Sequence, residues 1–120
     1  MCAAVPEPQT PVDLLDGFDE SPAAYLRTAR GLAALPNRGH STVRVTLLST
    51  FTSEVLVPYL RVEGARRGLD LEAEAAPFGQ LEQQALDANS AMYAGSSELI
   101  VLAWRLEDVS RSLVYDYLRL

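Results

Sequence analysis

The chain has 120 residues, of which 16 are Asp or Glu and ten are basic, and its formal net charge is −6 at pH 7. An acidic chain does not supply the clustered cations that bind nucleic-acid phosphates or an anionic membrane, so we expect neither as a partner. All the basic residues are arginine, which excludes Schiff-base chemistry on a lysine. Cys2 is the only cysteine, so no disulfide can form within the chain.

The sequence carries no signal for export and no pattern for a prosthetic group. No apolar run reaches the ~20 residues that a membrane-spanning helix needs, and no apolar stretch typical of a signal peptide follows Met1. Histidine and cysteine do not cluster at metal-ligand spacing, and there is no glycine-rich phosphate loop. We therefore expect a cytoplasmic protein with no metal and no cofactor.

The first part of the chain differs in composition from the rest. Prolines and scattered acidic residues dominate 1–20, which predicts a flexible leader with a short helical turn at 12–15. Residues 21–120 are expected to form a single α/β domain, with a sheet core over 43–120.

The domain is predicted to begin with a helix over 21–35. Serine is a preferred N-cap and proline is favoured in the first helical turn, so Ser21 and Pro22 mark its start. The run Pro36-Asn37-Arg38-Gly39 then ends it.

Residues 43–52 are the stretch around which the domain is arranged. Apolar residues first alternate with polar ones and then run together, which predicts a strand that is half covered at its start and buried at its end. Serine and threonine follow at once, and then an amphipathic helix runs to about Arg67, with Pro58 expected to kink it. Such a strand and helix form the first βα unit of a parallel sheet.

Two more strands are predicted. The segment 69–75 alternates apolar residues with Asp and Glu, which indicates an exposed edge strand. A short helix over 81–86 follows. The segment 98–104 is almost wholly apolar and predicts a strand buried in the sheet. A final helix over 109–120 would turn inward the side chains of Leu113, Val114, Tyr117 and Leu118.

This βαβαβα order predicts half of a doubly wound α/β fold. Right-handed crossovers give a three-stranded parallel sheet with strand order 2-1-3, preceded by the N-terminal helix. The third strand then presents an open edge of unpaired backbone. We expect either a homodimer at that edge or further protein beside it.

The carboxyl ends of parallel strands face the ligand crevice, and they define the candidate site. Candidate nucleophiles are Ser49 and Thr50, and candidate ligand-binding residues are Thr52, Gly79, Gln80, Asn89, Ser90 and Arg105. Each also has a structural explanation. The hydroxyl residues after the first strand can cap the next helix. The polar residues of the second crossover suit ordinary turns. Arg105 can pair with a ligand carboxylate or phosphate, or be neutralised by Glu107 or Asp108.

His40 is the only histidine of the chain. It precedes the first strand, at the opposite edge of the sheet from the candidate site, so we do not expect it to act as a catalytic base. A serine nucleophile without a histidine base has no general base to activate it within this chain.

Four stretches follow one another in an order and spacing that are typical of one family. They are Leu47–Thr52 with Leu56 and Leu60, Arg66–Glu72, Ala76–Gln83, and Leu86–Tyr93. Together they resemble the N-terminal domain of FkbH-like proteins, over roughly residues 40–110.

The resemblance implies a flavodoxin-like or SGNH-hydrolase-like fold that precedes a HAD-superfamily catalytic domain. FkbH-like proteins load a glyceryl unit from a phosphorylated glycerate onto an acyl carrier protein and remove the phosphate. Their products feed polyketide and tetronate antibiotic assembly. A HAD-family domain and an acyl carrier protein are therefore the implied partners.

The chain departs from both family patterns at the catalytic residues. The HAD signature Asp-x-Asp-x-Thr/Val is absent, and no lysine can serve the HAD phosphate site. In the SGNH pattern, Ser49 or Thr50 falls at the nucleophile and Gly79 at the oxyanion glycine. The Gly-Asp-Ser block is missing, Trp104-Arg105 replaces the expected asparagine, and no Asp-x-x-His pair follows. We therefore expect no catalysis by this chain alone.

Two functional hypotheses and one purely structural alternative follow from these observations. The first is a non-catalytic domain of FkbH-like machinery, which positions a substrate or a partner while a glyceryl or related acyl unit is loaded. The alternative is a small SGNH-like hydrolase or acyltransferase that uses the Ser49–Thr52 loop with a base from another chain. A structural α/β unit without a ligand is the third possibility.

Overall fold

The computed structural model describes residues 9–36, 41–95 and 97–116. Three parallel strands form one sheet in the order β2-β1-β3, preceded by helices, which confirms the predicted fold class. The elements are α1 (Pro11–Leu15), α2 (Pro22–Ala34), β1 (Thr42–Ser49), a 3-10 helix (Glu54–Leu56), α3 (Val57–Arg66), β2 (Asp70–Ala75), α4 (Leu81–Leu86), α5 (Ala91–Ala94), β3 (Leu99–Ala103), α6 (Leu106–Val109) and α7 (Arg111–Tyr115).

The central strand β1 is buried over its second half, as its sequence predicts. Val45, Leu47 and Leu48 are almost completely covered. Pairing with β2 runs from Thr42 opposite Asp70 along the first six residues of the strand. Pairing with β3 begins at Val45, so β3 is displaced toward the carboxyl edge.

The helical core lies where α2 meets α3. Ala29, Leu32, Leu35 and Val62 form a buried cluster. Helix α2 begins as predicted, because Ser21 Oγ accepts the backbone N–H of Ala24 at 3.2 Å. The predicted terminator of this helix at 37–39 lies outside the described residues.

The segment predicted as a flexible leader contains helix α1. Thr10 and Asp13 form a capping box, in which each side chain accepts from the other residue's backbone N–H. Leu14, Leu15 and Phe18 then pack against the helical core. Within the described part of this segment, Pro11 lies in the first turn of α1 and Asp13 completes its capping box.

The predicted kink at Pro58 is wrong. Helix α3 begins at Val57, so Pro58 lies in its first turn, where the missing N–H removes no helical hydrogen bond. The preceding residues Glu54–Leu56 form a separate 3-10 helix instead of extending α3.

The prediction that β3 is buried is also wrong. Leu99 and Leu102 are 51% and 55% exposed, and Ile100 is 36% exposed. The strand lies at the edge of the sheet and its extensive packing is with β1 alone in the described part of the chain. An apolar run therefore shows that a strand is able to be buried, but it does not show that other parts of this chain cover the strand.

The predicted final helix over 109–120 is divided. Helices α6 and α7 are separated by Ser110, whose backbone is extended with φ −150° and ψ 99°. The side chains of Leu113 and Val114, and all of residues 117–120, lie outside the described part of the chain.

Candidate functional site

The loops that follow the three strands meet at the carboxyl edge of the sheet, where they border a cleft of about 750 Å³. The backbone N–H of Thr50, after β1, donates to the carbonyl oxygen of Ala103 at 3.2 Å. The N–H of Gly79, after β2, lies 3.4 Å from the carbonyl oxygen of Ser49. Gly79 has φ +72°, a conformation that glycine adopts without strain. The sheet therefore holds these loops together as predicted for a parallel fold.

One wall of the cleft is apolar. It consists of residues from α4, from the loop after β3 and from α6, namely Leu81, Ala85, Leu86, Trp104 and Val109. Leu86 is 88% exposed and Trp104 is 52% exposed. This wall offers apolar surface to a ligand or to a protein partner.

Polar groups of the cleft come from Thr50, Glu82, Gln83 and Asp108. The Thr50 hydroxyl joins two of the loops, because its Oγ1 accepts the backbone N–H of Arg105 at 3.1 Å. Hydrogen bonding from this hydroxyl, and then from the guanidinium of Arg105, lowers the pKa of the Asp108 carboxyl below its usual value. A carboxylate with a lowered pKa is a weak general base.

Arg105 is bound within its own loop. Its Nε lies 2.9 Å from Asp108 Oδ2 and 3.7 Å from Glu107 Oε1. The Asp108 carboxylate is the main cause of the raised Arg105 pKa. The guanidinium also borders a smaller cleft of about 370 Å³, lined further by Arg111 and Tyr115. The sequence had suggested neutralisation by these two acids as one of two roles for Arg105, and the structure contains those contacts.

Ser49 does not present a free hydroxyl to the cleft. Its side chain is buried, at 2% exposure, and its Oγ donates to the carbonyl oxygen of Phe51 at 2.5 Å. The same Oγ lies 2.9 Å from Ser53 Oγ. Ser53 precedes the 3-10 helix but makes no capping hydrogen bond to it, so the predicted cap is replaced by this serine pair.

Four of the predicted ligand-binding residues line neither of these two clefts. Thr52 is exposed. Gln80 precedes α4, where its carbonyl oxygen accepts the N–H of Gln84 at 2.8 Å. The backbone N–H of Asn89 donates to Asp87 Oδ1 at 2.9 Å in a turn.

Ser90 is buried before α5, and its Oγ donates to the carbonyl oxygen of Gln84 at 2.6 Å. The hydrogen bonds of Ser90 and Asn89 therefore stabilise the crossover between β2 and β3. Thr50 and Gly79 are the predicted residues that the structure places in the larger cleft.

Sequence reasoning missed the largest part of the cleft, which is α4 together with Trp104 and Asp108. The spacing of Arg105 and Asp108 by three residues is a signal for a helical ion pair. Leu86 carried no signal, because an apolar residue in a short helix predicts burial.

Charge in the cleft does not favour a phosphate. Glu82 and Asp108 are both acidic, and Arg105, in the loop after β3, is already bound to Asp108 and Glu107. The described residues contain no group of three or more His, Cys, Asp or Glu side chains that could hold a metal ion. In those same ranges, no helix is both long and apolar enough to cross a bilayer.

Comparison with known proteins gives one informative match, to a solved structure. No family model and no curated protein sequence matches the chain. The match is to the N-terminal part of the protein BF1531 from Bacteroides fragilis, described as containing a phosphatase domain complexed with Mg, with a TM-score of 0.52 and 17% identity. It covers 92% of this chain and 28% of that one. At this identity the match shows a common fold, and this chain spans less than a third of the other protein.

Proposed function

We propose that this chain is a non-catalytic α/β domain of FkbH-like machinery, which acts beside a HAD-family phosphatase domain. It positions a glyceryl or related acyl unit during loading onto an acyl carrier protein in polyketide-type antibiotic assembly. The observation that carries the proposal is the fold match, in which 92% of this chain corresponds to 28% of a chain that contains a phosphatase domain. The four stretches that resemble FkbH-like proteins support the same assignment.

The contacts of the two candidate nucleophiles support a positioning role over a catalytic one. The Ser49 hydroxyl is buried against Phe51, and the Thr50 hydroxyl is held between Arg105 and Asp108. A nucleophile needs a base that removes its proton, and the lowered pKa of Asp108 makes this carboxylate a poor one.

The chemistry of the cleft indicates what it would hold. Its wall is apolar at Leu86 and Trp104, and its charged groups are acidic or already paired. A neutral acyl chain with hydroxyl or amide groups suits such a cleft better than a phosphorylated one. The phosphate is then left to the HAD domain. We propose that the partners are this domain, the carrier protein and a second copy of the chain, in the cytoplasm.

The proposal is tested by reconstitution. A HAD-family phosphatase domain encoded next to this chain is mixed with its carrier protein and a phosphorylated glycerate, with and without the chain. We expect the mass of the carrier protein to increase by one glyceryl unit only when the chain is present. Equal loading in its absence would overturn the proposal.

Two matched variants test whether the cleft carries the effect. Leu86→Arg places a charge on the apolar wall of the cleft, and it should lower loading at least about tenfold. Val12→Arg introduces the same residue at another exposed apolar position, on α1, and should leave loading unchanged. Equal loss in both variants would indicate a general effect of charge.

A further inference from the structure

The charge of the carboxyl-edge cleft is set by two side chains. Of the described residues that line it, only Glu82 on α4 and Asp108 on α6 carry titratable groups. The Asp108 carboxylate is compensated, because its Oδ2 lies 2.9 Å from Nε of Arg105 and it also accepts a hydrogen bond from the Thr50 hydroxyl. The charge of Asp108 is therefore offset by groups of the same edge.

Glu82 has no such compensation. Its side chain is exposed in the first turn of α4. It forms no ion pair and no side-chain hydrogen bond with the part of the chain that the structure describes. Arg105, in the loop after β3, is already paired with Asp108 and with Glu107. The Glu82 carboxylate therefore leaves the cleft with a net negative charge.

The wall of the cleft is apolar and open to solvent. Leu86, Trp104 and Val109 line it, and each of them is more than half exposed. Such a wall binds the carbon chain of a ligand, but it supplies no charge with which to reject one. Discrimination between ligands of different charge is therefore left to Glu82.

We propose that Glu82 determines which acyl units enter the cleft, by repelling those that carry a phosphate or another anionic group. The inference rests on the proposed function, because it takes the ligand of the cleft to be the acyl unit. A charge placed against the unwanted ligand is a common route to specificity. Beside apolar walls, two like charges repel each other more strongly than they do in bulk water, because the effective dielectric constant is lower.

The charge of the cleft also gives this chain a place in the loading sequence. A phosphate monoester carries about two negative charges at pH 7, so an acyl unit that bears one is disfavoured here. Water must cleave that ester before the unit binds, which releases inorganic phosphate and restores the hydroxyl group. The cleft then holds the product of a phosphatase reaction, a neutral hydroxyacyl chain. In the proposed function that reaction belongs to the HAD-family domain.

Three probes that differ in the charge of one group test the role of Glu82. The first is the N-hexylamide of glyceric acid, which is neutral and offers a carbon chain to the apolar wall. The second carries a phosphate on its terminal hydroxyl, and the third has an ammonium group in place of that hydroxyl. Trp104 lines the cleft and is the only tryptophan of the chain, so its fluorescence emission follows the binding of each probe.

Glu82→Gln removes the charge and nearly keeps the size of the side chain. Glu98→Gln is the matched control, because Glu98 is also exposed but precedes β3, at the opposite edge of the sheet. In the wild type and in Glu98→Gln, the phosphorylated probe should bind at least about fivefold more weakly than the neutral probe, and the ammonium probe more tightly. In Glu82→Gln both differences should shrink to about twofold or less, and high salt should shrink them in the wild type.

The outcomes separate this proposal from the proposed function. Equal binding of the neutral and phosphorylated probes by the wild type would overturn the proposal and leave the proposed function in place. A preference that persists in Glu82→Gln, or an ammonium probe that gains nothing, would attribute the exclusion to the size of the phosphate and overturn the role of Glu82. If no probe changes the emission of Trp104, the cleft does not hold an acyl unit, and the positioning role fails together with the proposal.

Discussion

The backbone N–H of Arg105 donates to Thr50 Oγ1 at 3.1 Å, so a single hydroxyl joins the loop after β3 to the loop after β1. The same hydroxyl contributes to the lowered pKa of Asp108. One threonine therefore holds together a peptide group and a carboxylate from the segment that borders the candidate cleft.

Replacement of Thr50 by valine tests this role. Thr50→Val keeps the shape of the side chain but removes the hydroxyl, so it should lower the free energy of unfolding by about 1 kcal/mol. Urea denaturation measures this loss. The pKa of Asp108, followed by NMR titration, should rise toward its ordinary value because its largest stabilising contact is gone. Thr52→Val, at an exposed position outside the cleft, is the control and should change neither quantity.

Glu63 on α3 should make the free energy of unfolding depend on pH in the acidic range. Arg67, Tyr25 and Arg66 all donate to its carboxylate, and they lower its pKa from 4.5 to about 2. A carboxyl with a lowered pKa in the folded state stabilises the protein above its unfolded pKa. That contribution is lost as pH falls from about 4.5 toward 2.

Glu63→Gln should therefore destabilise the protein at pH 7 by roughly 1 kcal/mol, and the difference from wild type should shrink below pH 4 or so. Thermal unfolding between pH 2.5 and 7 measures both. Glu54→Gln, exposed in the 3-10 helix, supplies the control. A constant difference between Glu63→Gln and wild type over this range would contradict the assignment.

Gly64 allows α3 to lie directly on β2. A Cβ at Gly64 would be 2.5 Å from Leu71 Cγ, which is too close for real atoms. Gly64→Ala should destabilise the protein by about 1–3 kcal/mol through overpacking, although alanine is the better helix former. Gly31→Ala on α2 meets only the movable end of Leu14, at 3.1 Å, and should cost much less.

Leu71→Ala should relieve the same clash. Adding Gly64→Ala to the Leu71→Ala protein should then cost less than adding it to wild type, and a double-mutant cycle by urea denaturation measures that coupling. Strict additivity would show that Gly64 and Leu71 do not interact in this way.

Leu48 and Leu102 both lie in apolar runs of the sequence, but their side chains differ in burial. Leu48 is 1% exposed in β1 and Leu102 is 55% exposed in β3. Leu48→Ala should lower the free energy of unfolding by about 2–5 kcal/mol, and Leu102→Ala by less than about 1 kcal/mol, when both are measured by urea denaturation. Similar losses at the two positions would contradict the exposure of Leu102.

Much of the fold follows from local patterns. The period of two in β2, the apolar end of β1 and the serine-proline start of α2 are local signals, and all three elements form where they are predicted. The strand order follows from the handedness of the crossovers. Pro58 was misjudged because its effect depends on whether it lies in the first turn of a helix, and that boundary is set by the preceding 3-10 helix.

The candidate site was less predictable, because its contacts join residues that are distant in sequence. The bond between Arg105 and Thr50 spans 55 positions, and no local pattern predicts it. The burial of Ser49 depends on the path of the loop back to Ser53. The exposure of β3 depends on what lies beside the sheet, which the strand's own residues do not encode.

Because α1 packs against the helical core, it limits how far the N-terminus can be shortened without exposing that core. A boundary chosen from composition would start expression near Ser21 and discard Leu14, Leu15 and Phe18. Removal of these three residues would expose Leu32 and Val62 to solvent, and we expect the shortened protein to be less soluble. Starting at Gln9 retains Thr10 as the cap of α1, so tags and fusion partners belong ahead of that residue.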